Sequence, residues 1–434
     1  MIRLYFKQAW NLIRQERLFS LIYIVGTGLS VTMVMVLSII IYLKVAPVYP
    51  ETNRSRTLVA ASGSVVKLKE KGSSSGQLSL HMLQSTFGDL KGMEALAITY
   101  DDYGSAYFIQ PENSKEDMPV TAGFVNQAFW TVFPFRFIEG KPFTEADLQS
   151  GIKTVVLSRS TATRLFGDEK AEGRYISLNF DSYRVCGVVE DASQITPVSY
   201  AQLWMPYTAC PNYSAKGWDS TGMLGRFKGY ILVEKGTDID RVKQEAEECV
   251  ARQDRSMPDV TFTLFGQPDK HWQSIFRRWS SSPVDFTKVL LQYSLIFFLL
   301  LFVPAVSLSG MADSRMERRL AEMGVRRAFG APSLSLMKQV LVENFLFTLL
   351  GGFFGLLLSY SIVVVSRNWI MQVIASGFSN GGQFEDVSLS PSMLVNGYVF
   401  GITLAVCFLL NLFSALVPAW RAAHREIIFS LNAK

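Results

Sequence analysis

Apolar and polar positions are strongly segregated along this chain. Leu18 to Leu43, Val289 to Ala312, Asn344 to Ser366 and Val387 to Trp420 contain no charged residue. Each block reaches the ~20 apolar residues needed to cross a hydrocarbon core about 30 Å thick. A buried helix of a soluble protein averages about 11 residues and keeps a polar stripe. The pattern therefore predicts four transmembrane helices, at 18–45, 287–312, 339–366 and 393–420. The last begins after Pro391, because "SNGGQFEDVSLSP" before it is polar and turn-forming. The first block competes with a cleaved signal peptide. Its run exceeds the roughly 7–15 apolar residues of a signal core, and no small-x-small cleavage site follows, so it reads as an anchor.

Basic residues then set an expected orientation. Arg3, Lys7, Arg14 and Arg17 precede the first block; Arg315, Arg318, Arg319, Arg326, Arg327 and Lys338 lie between the second and third; Arg421, Arg425 and Lys434 follow the fourth. Segment 367–392 has one such residue, Arg367. Both termini and the basic hairpin at 313–338 are expected inside, and 46–286 outside. Residues 1–17 place Ile2, Phe6, Ala9 or Trp10, and Ile13 at helical spacing, which predicts an amphipathic helix on the inner membrane surface, in contact with lipid. Segment 421–434 is the inner tail. The net charge of +5 resides largely on this inner face, so nucleic acid is not an expected partner. Four scattered cysteines make no disulfide framework; one bridge among Cys186, Cys210 and Cys249 is left open.

The outer region alternates short strands and helices. "TVVLS" reads as a strand, "RSTATRLFG" as a helix, "YISLNF" and "YRVCGVVED" as strands. "GYILVEKG", the helix "DIDRVKQEAEECVARQ" capped by Asp238, and "VTFTLF" read as a βαβ-type unit. "KEKGSSSGQLSLH" reads as a flexible polar loop. The fold class is an α-helical membrane protein with four transmembrane helices plus a large α+β extracytoplasmic domain of two subdomains, with 119–207 inserted into the rest.

Most chemical motifs are absent or misplaced. No G-x-x-x-x-G-K-[ST] occurs, so no nucleotide cradle is expected and no cofactor is assigned to this chain. "SNGGQ" at Ser379–Gln383 resembles an ATPase signature loop but falls in an outer turn-rich segment. "GSSSG" at Gly72–Gly76 matches a hydrolase elbow in letters only. His81, His271 and His424 are far apart, and no Cys/His spacing indicates zinc; Asp101 and Asp102 read as turn acids. Catalytic and metal sites are accordingly expected to be none. Pro304 reads as a helix kink. Gly351, Gly352 and Gly355 put small residues on one helix face, for close packing within the protomer or across a dimer.

The basic hairpin carries the strongest signal. "ERRLAEMGVRRAFGA", Glu317 to Ala331, has six charged residues in fifteen. On a helix Arg315, Arg318, Arg319, Glu322 and Arg326 share an arc of about 100°, beside an apolar stripe of Met316, Leu320 and Met323. Gly330, Ala331 and Pro332 end the helix, and Ser333 caps the next. A membrane anchor accounts for the arginines, but not for Glu317, Glu322, Gly324 or Gly330.

This segment resembles E-R-x-x-x-E-[IM]-G-x-R-[KR]-A-x-G-A of the FtsX/MacB superfamily of ABC transporter permeases. "LVENFLFTLLGGFFGLLLSY" and "VPAWRAAHREIIFSL" are similar to that family too, although "EIIFSLN" departs from its usual ending. The stretch from "VNQAFW" to "VCGVVED" resembles a MacB-type periplasmic domain. The resemblance implies a bacterial inner-membrane permease, not catalytic alone, with a coupling helix seated in a separate cytoplasmic ABC ATPase. The implied coupling residues are Glu317, Arg318, Glu322, Met323, Gly324, Arg326, Arg327 and Gly330. ATP and Mg would sit on that ATPase. Further implied partners are a second permease copy or a related permease, and a periplasmic adaptor with an outer-membrane duct. The implied activity is mechanotransmission for export or efflux; lipoprotein release, cell-wall-hydrolase regulation and a non-transport sensor are the alternatives.

Overall fold

The computed structural model describes residues 17–318 except 70–71, 104, 111–116 and 278–282, then 333–370 except 368, part of 397–412, and the isolated positions 14, 325 and 329. It opens on helix α1 (Arg17–Val45), which holds a 26-residue apolar span, Ser20–Val45. At 1.5 Å per residue this span is about 39 Å long, enough to cross a bilayer.

The chain then enters an α/β unit, Leu43–Asp285. Its first part has β1 (Thr57–Ala60), β2 (Gly63–Lys67), β3 (Ser73–Leu78), helix α2 (Leu80–Phe87) and β4 (Met93–Tyr100). The middle part follows, with β5 (Tyr107–Gln110), β6 (Met118–Val120), β7 (Ala122–Val125), α3 (Phe129–Val132) and β8 (Phe137–Gly140). It continues through α4 (Glu145–Ser150), β9 (Thr154–Ser158), α5 (Arg159–Phe166), β10 (Tyr175–Leu178), β11 (Asp181–Val189) and β12 (Leu203–Pro206). The chain returns through β13 (Leu224–Gly225), β14 (Phe227–Val233), α6 (Ile239–Arg255), β15 (Val260–Thr263), β16 (Asp269–Lys270) and α7 (His271–Ser274).

The main strand order is β15-β2-β3-β14-β4-β7-β12-β9-β11-β10-β5-β6. Late strand β14 lies between early strands β3 and β4 and also pairs β1, so the start and end of this unit fold as one body. The middle part joins this half through β4 and β7, with Thr99 opposite Val125 and Tyr100 opposite Phe124. One core cluster, including Leu58, Leu83, Phe87, Ile98, Val155, Tyr183 and Ile231, draws on both halves. A second gathers Phe129, Trp130, Phe133, Phe135 and Trp204, whose rings meet largely edge to face.

Local chemistry explains the helix starts. Ser79, Ser158 and Asp238 each accept a backbone N–H of the helix they precede. Thr144 and Asp147 form a reciprocal capping box on α4, which ends at Gly151 with φ 65°. Helix α6 buries Val242, Ala246 and Val250 at a four-residue spacing.

Three expectations are corrected. "GSSSG" is not a loop: its serines lie in β3, with Ser75 opposite Ser64 and their hydroxyls 3.0 Å apart. A Cβ on Gly76 would lie 2.7 Å from Cζ2 of Trp218, so glycine makes room for the indole. Backbone pairing and that ring hold a strand whose own side chains have little β preference. The expected βαβ-type unit is also not closed, because β2 and β3 lie between β14 and β15 and β15 runs antiparallel to β2. The strand predicted from "YISLNF" stops at Leu178; Asn179 and Phe180 form a turn with φ 46° and 70°.

The second unit is helical. Helix α8 (Phe286–Arg318) begins with an apolar stretch, Phe286–Phe302, and α9 (Ser333–Val365) holds a 21-residue span, Phe345–Val365. Among the described residues, α1 and α9 are long and apolar enough to cross a membrane. Most of the fourth predicted span, and segments 1–13 and 371–396, lie outside the described residues.

Phe180 is 94% exposed at a left-handed φ, so it adds strain without packing. Phe180→Gly is expected to stabilise the full chain in detergent by about 1 kcal/mol. Thermal unfolding measures it, and a lowered midpoint would show that the ring makes a stabilising contact.

Candidate functional site

Of the expected coupling residues, Glu317 and Arg318 lie in the last turn of α8. Glu322, Met323, Gly324, Arg326, Arg327 and Gly330 fall outside the described residues, as does "SNGGQ".

The three membrane glycines are described. A Cβ on Gly351 would stand 2.9 Å from Thr27 Cβ and 3.0 Å from the Ile24 carbonyl. One on Gly355 would stand 2.6 Å from the Gly28 carbonyl and 2.9 Å from Val31 Cβ. Gly28 answers from α1, with its own Cβ position 3.1 Å from the Gly351 carbonyl. Thr32 Oγ1 lies 3.1 Å from the Gly355 carbonyl and 2.8 Å from that of Gly28, in reach to donate to either. Tyr23 and Phe347 pack with ring centroids 5.2 Å apart. Gly351 and Gly355 thus set α9 directly against α1, while Gly352 faces Leu404.

A charged cluster that the sequence reading did not single out lies where α1 ends. Glu51 and Arg54 are both buried, their side chains 1% and 3% exposed, with Arg54 Nε 2.9 Å from Glu51 Oε2. Arg54 Nη1 donates to three carbonyls at the helix end, those of Leu43 (3.0 Å), Lys44 (3.1 Å) and Ala46 (2.7 Å). Terminal carbonyls have no partner within the helix and carry its negative dipole end, so a guanidinium fits them in both geometry and charge. Glu51 Oε1 accepts from the backbone N–H (3.1 Å) and hydroxyl (3.0 Å) of Ser199, and Oε2 lies 3.4 Å from His271 Nε2.

These partners come from three separated segments. Ser199 belongs to the loop before β12, and its carbonyl accepts from Trp204 Nε1 at 3.2 Å. His271 opens α7, on the return toward α8. Next to it, Asp269 of β16 takes two bonds from Arg277, at 2.6 and 2.9 Å. Asp269 also faces Val59 of β1 across the sheet. Burial would raise the Glu51 pKa; Arg54 and then His271 more than offset this and hold it at about 2.

The other acidic candidates are used structurally. Asp102 accepts from the Tyr107 hydroxyl (2.5 Å) and Asn212 (3.0 Å), and Asp101 pairs with Lys228 at 2.7 Å. Among the described residues no group of three or more His, Cys, Asp or Glu could hold a metal ion. Cys186, Cys210 and Cys249 are free thiols, and burial pushes that of Cys186 up to about 12 and that of Cys210 up to about 11.

A depressed carboxyl pKa stabilises the folded state above its unfolded value of 4.5, and that stability is lost as pH falls toward about 2. For Glu51 the loss is expected to be roughly 3 kcal/mol. In the full chain in detergent, the protection of amides in β1 and β12, taken relative to their intrinsic exchange rate at each pH, should fall between those pH values. Glu51→Gln should flatten that response; an unchanged pH response in Glu51→Gln would show that Glu51 is not its source.

Comparison with known proteins fits this architecture. Residues 20–248 match the family model of the MacB-like periplasmic core domain, and residues 287–427 that of the FtsX-like permease C-terminal domain. Among curated relatives, the macrolide export ATP-binding/permease protein MacB of Chromobacterium violaceum is 24% identical over 71% of this chain and 42% of its own length. Its namesake in Escherichia coli K12 is 25% identical over 80% of this chain and 56% of its own length. The chain therefore spans about half the length of the curated relatives it matches. The solved periplasmic region of MacB from Actinobacillus actinomycetemcomitans is 14% identical, with a TM-score of 0.34, over 48% of this chain and 89% of that one. With one family domain over more than half its length and a second over most of the remainder, the chain belongs to the FtsX/MacB family of ABC transporter permeases.

Proposed function

We propose that the chain is the transmembrane subunit of a MacB-like ABC transporter that exports substrate by moving its periplasmic domain. In this reading the four apolar blocks span the inner membrane, both termini and the basic hairpin are cytoplasmic, and the α/β unit is periplasmic. A separate ABC ATPase binds ATP and Mg and grips the hairpin. Residues Glu317, Arg318, Glu322, Met323, Gly324, Arg326, Arg327 and Gly330 form the gripped surface. A second permease, identical or related, completes the transmembrane pair, and a periplasmic adaptor with an outer-membrane duct receives the substrate.

The observation that carries the reading is the order of two family domains in one chain, with a helix leading into the first. Helix α1 runs unbroken from its apolar span to Val45, already inside the α/β unit that begins at Leu43. A rigid helix moved at one end displaces its other end, so no substrate path between the spans is required. The relatives' printed names join ATP binding and export in one protein, which supports ATP as the source of work.

Topology is testable by single cysteines in a cysteine-free background. A cysteine at Ser182, exposed on β11, should react with an impermeant reagent in intact cells; one at Ser333 should react only after the membrane is opened. Equal labelling of both would sink the four-span arrangement.

The coupling surface is testable by shape and sign. Glu322→Arg adds positive charge, so membrane insertion should hold. A reversed, desolvated contact with an ATPase would cost about 2–5 kcal/mol. Glu322→Arg and Gly324→Leu are therefore expected to insert normally, lose the co-purifying ATPase, and abolish permease-dependent ATP hydrolysis. Normal recovery and hydrolysis in both variants would leave the hairpin a lipid anchor.

A further inference from the structure

We infer that Glu51, Arg54, Ser199 and His271 form the joint that passes movement of α1 to the rest of the α/β unit, with Arg54 as the positioning residue that grips the helix end. The inference rests on the movement-driven reading above, and adds to it the residues through which the movement is transmitted.

A moving helix transmits displacement only if its end is held. Apolar contacts resist separation but slide easily, since their energy depends weakly on direction. Hydrogen bonds weaken steeply with angle, and charge-assisted ones are the stronger kind. Arg54 makes three such bonds to backbone carbonyls at the end of α1, so the grip does not depend on the helix side chains. Its Nε is held by Glu51. The other Glu51 oxygen is held by Ser199, in the loop that leads into β12. β12 pairs β7 and β9, inside the middle part of the sheet. His271 ties the same carboxylate to the return segment, where β16 pairs β1.

Displacing residues 43–46 therefore either breaks several buried charge-assisted bonds or carries both segments along. Breaking them strips a buried guanidinium of its carbonyl partners and leaves those carbonyls open, the more costly outcome. Two branches leave one carboxylate, one into the middle part through Ser199 and one into the return segment through His271. A purely local helix cap needs only Arg54. The second carboxylate oxygen, fully used by a loop 148 positions away, is what a cap leaves unexplained.

The test uses the full chain purified with its ATPase, with and without ATP and Mg, followed by amide hydrogen exchange. Wild type should show ATP-dependent changes in 193–206 and in 265–274. Glu51→Leu/Arg54→Met removes both charges together, so neither is stranded. Its ATP hydrolysis should match wild type, while the ATP-dependent change in both segments falls about fivefold or more, the lower end of an ordinary coupling free energy. His271→Phe, which should fold whatever the fate of the double variant, should lose the change in 265–274 and keep it in 193–206. Wild-type ATP responses in either variant would overturn the joint. Absence of any ATP response in the wild-type segments, with ATP still hydrolysed, would overturn the movement-driven reading itself and the joint with it.

Discussion

A carboxylate buried to 1% exposure is tolerated only if its surroundings replace the water it has lost. At Glu51 this requirement organises the base of the α/β unit. The carboxylate needs a cation, and Arg54 supplies it. The guanidinium then has further N–H groups to satisfy, and the open carbonyls at the end of α1 take them. Ser199 and His271 meet the remaining demand of the carboxylate. No group in this chain of obligations can be removed without leaving another buried and unsatisfied. That is why residues 43–54, 195–199 and 271 share one location although they are far apart in sequence. Such a cluster adds little net stability compared with an apolar one of the same volume; what it adds is a single allowed geometry.

The helical unit meets the opposite condition. In lipid, helices gain nothing from leaving water, so close packing must come from shape. Gly28, Gly351 and Gly355 supply it by letting backbones meet without an intervening Cβ, and Thr32 reaches the Gly355 carbonyl across the contact. A side chain at any of the three would push α1 and α9 apart. Directional ionic bonds in one unit and close backbone contact in the other both favour elements that move as rigid pieces.

Much of this was legible in the sequence, and the parts that were not share a cause. The strand Thr154–Ser158 and the helix after it follow "TVVLS" and "RSTATRLFG" almost residue for residue, because a short run of β-branched and apolar residues, a serine cap and a terminal glycine are local signals. The cap at Asp238 was legible for the same reason. β3 was not, since its serines carry little strand preference of their own, and what holds them is backbone pairing with β2 and the room that Gly76 leaves for Trp218, far off in sequence. The placement of β14 between β3 and β4 is likewise a non-local fact. At the site, Gly351 and Gly355 were readable as small residues one turn apart, but their partner Gly28 on α1, and the separate contact of Gly352 with Leu404, were not. Glu51 and Arg54 were invisible: in "YPETNRSR" they look like ordinary linker charges. The one available signal was their i, i+3 spacing just past a membrane span, and surface residues produce the same spacing. Burial distinguishes the two, and burial is set by Ser199 and His271.

The same non-local wiring bears on how a domain of this kind can transmit work. Had the chain run through its strands in order, the segment after α1 and the segment before α8 would sit at opposite edges of the sheet. A pull on one would then reach the other only by shearing every ladder between them. Instead β1, immediately after the Arg54 joint, pairs β14 and also β16, which directly precedes α7 on the return toward α8. The exit and the return are neighbours bonded to each other, and the middle part hangs from the pair through β4–β7 and the Glu51–Ser199 contact. A displacement applied at residues 43–46 would thus meet the return segment and the middle part at their roots, through short paths of directional bonds. Strand order thus brings the ladders of β1, β14 and β16 together where α1 enters the α/β unit.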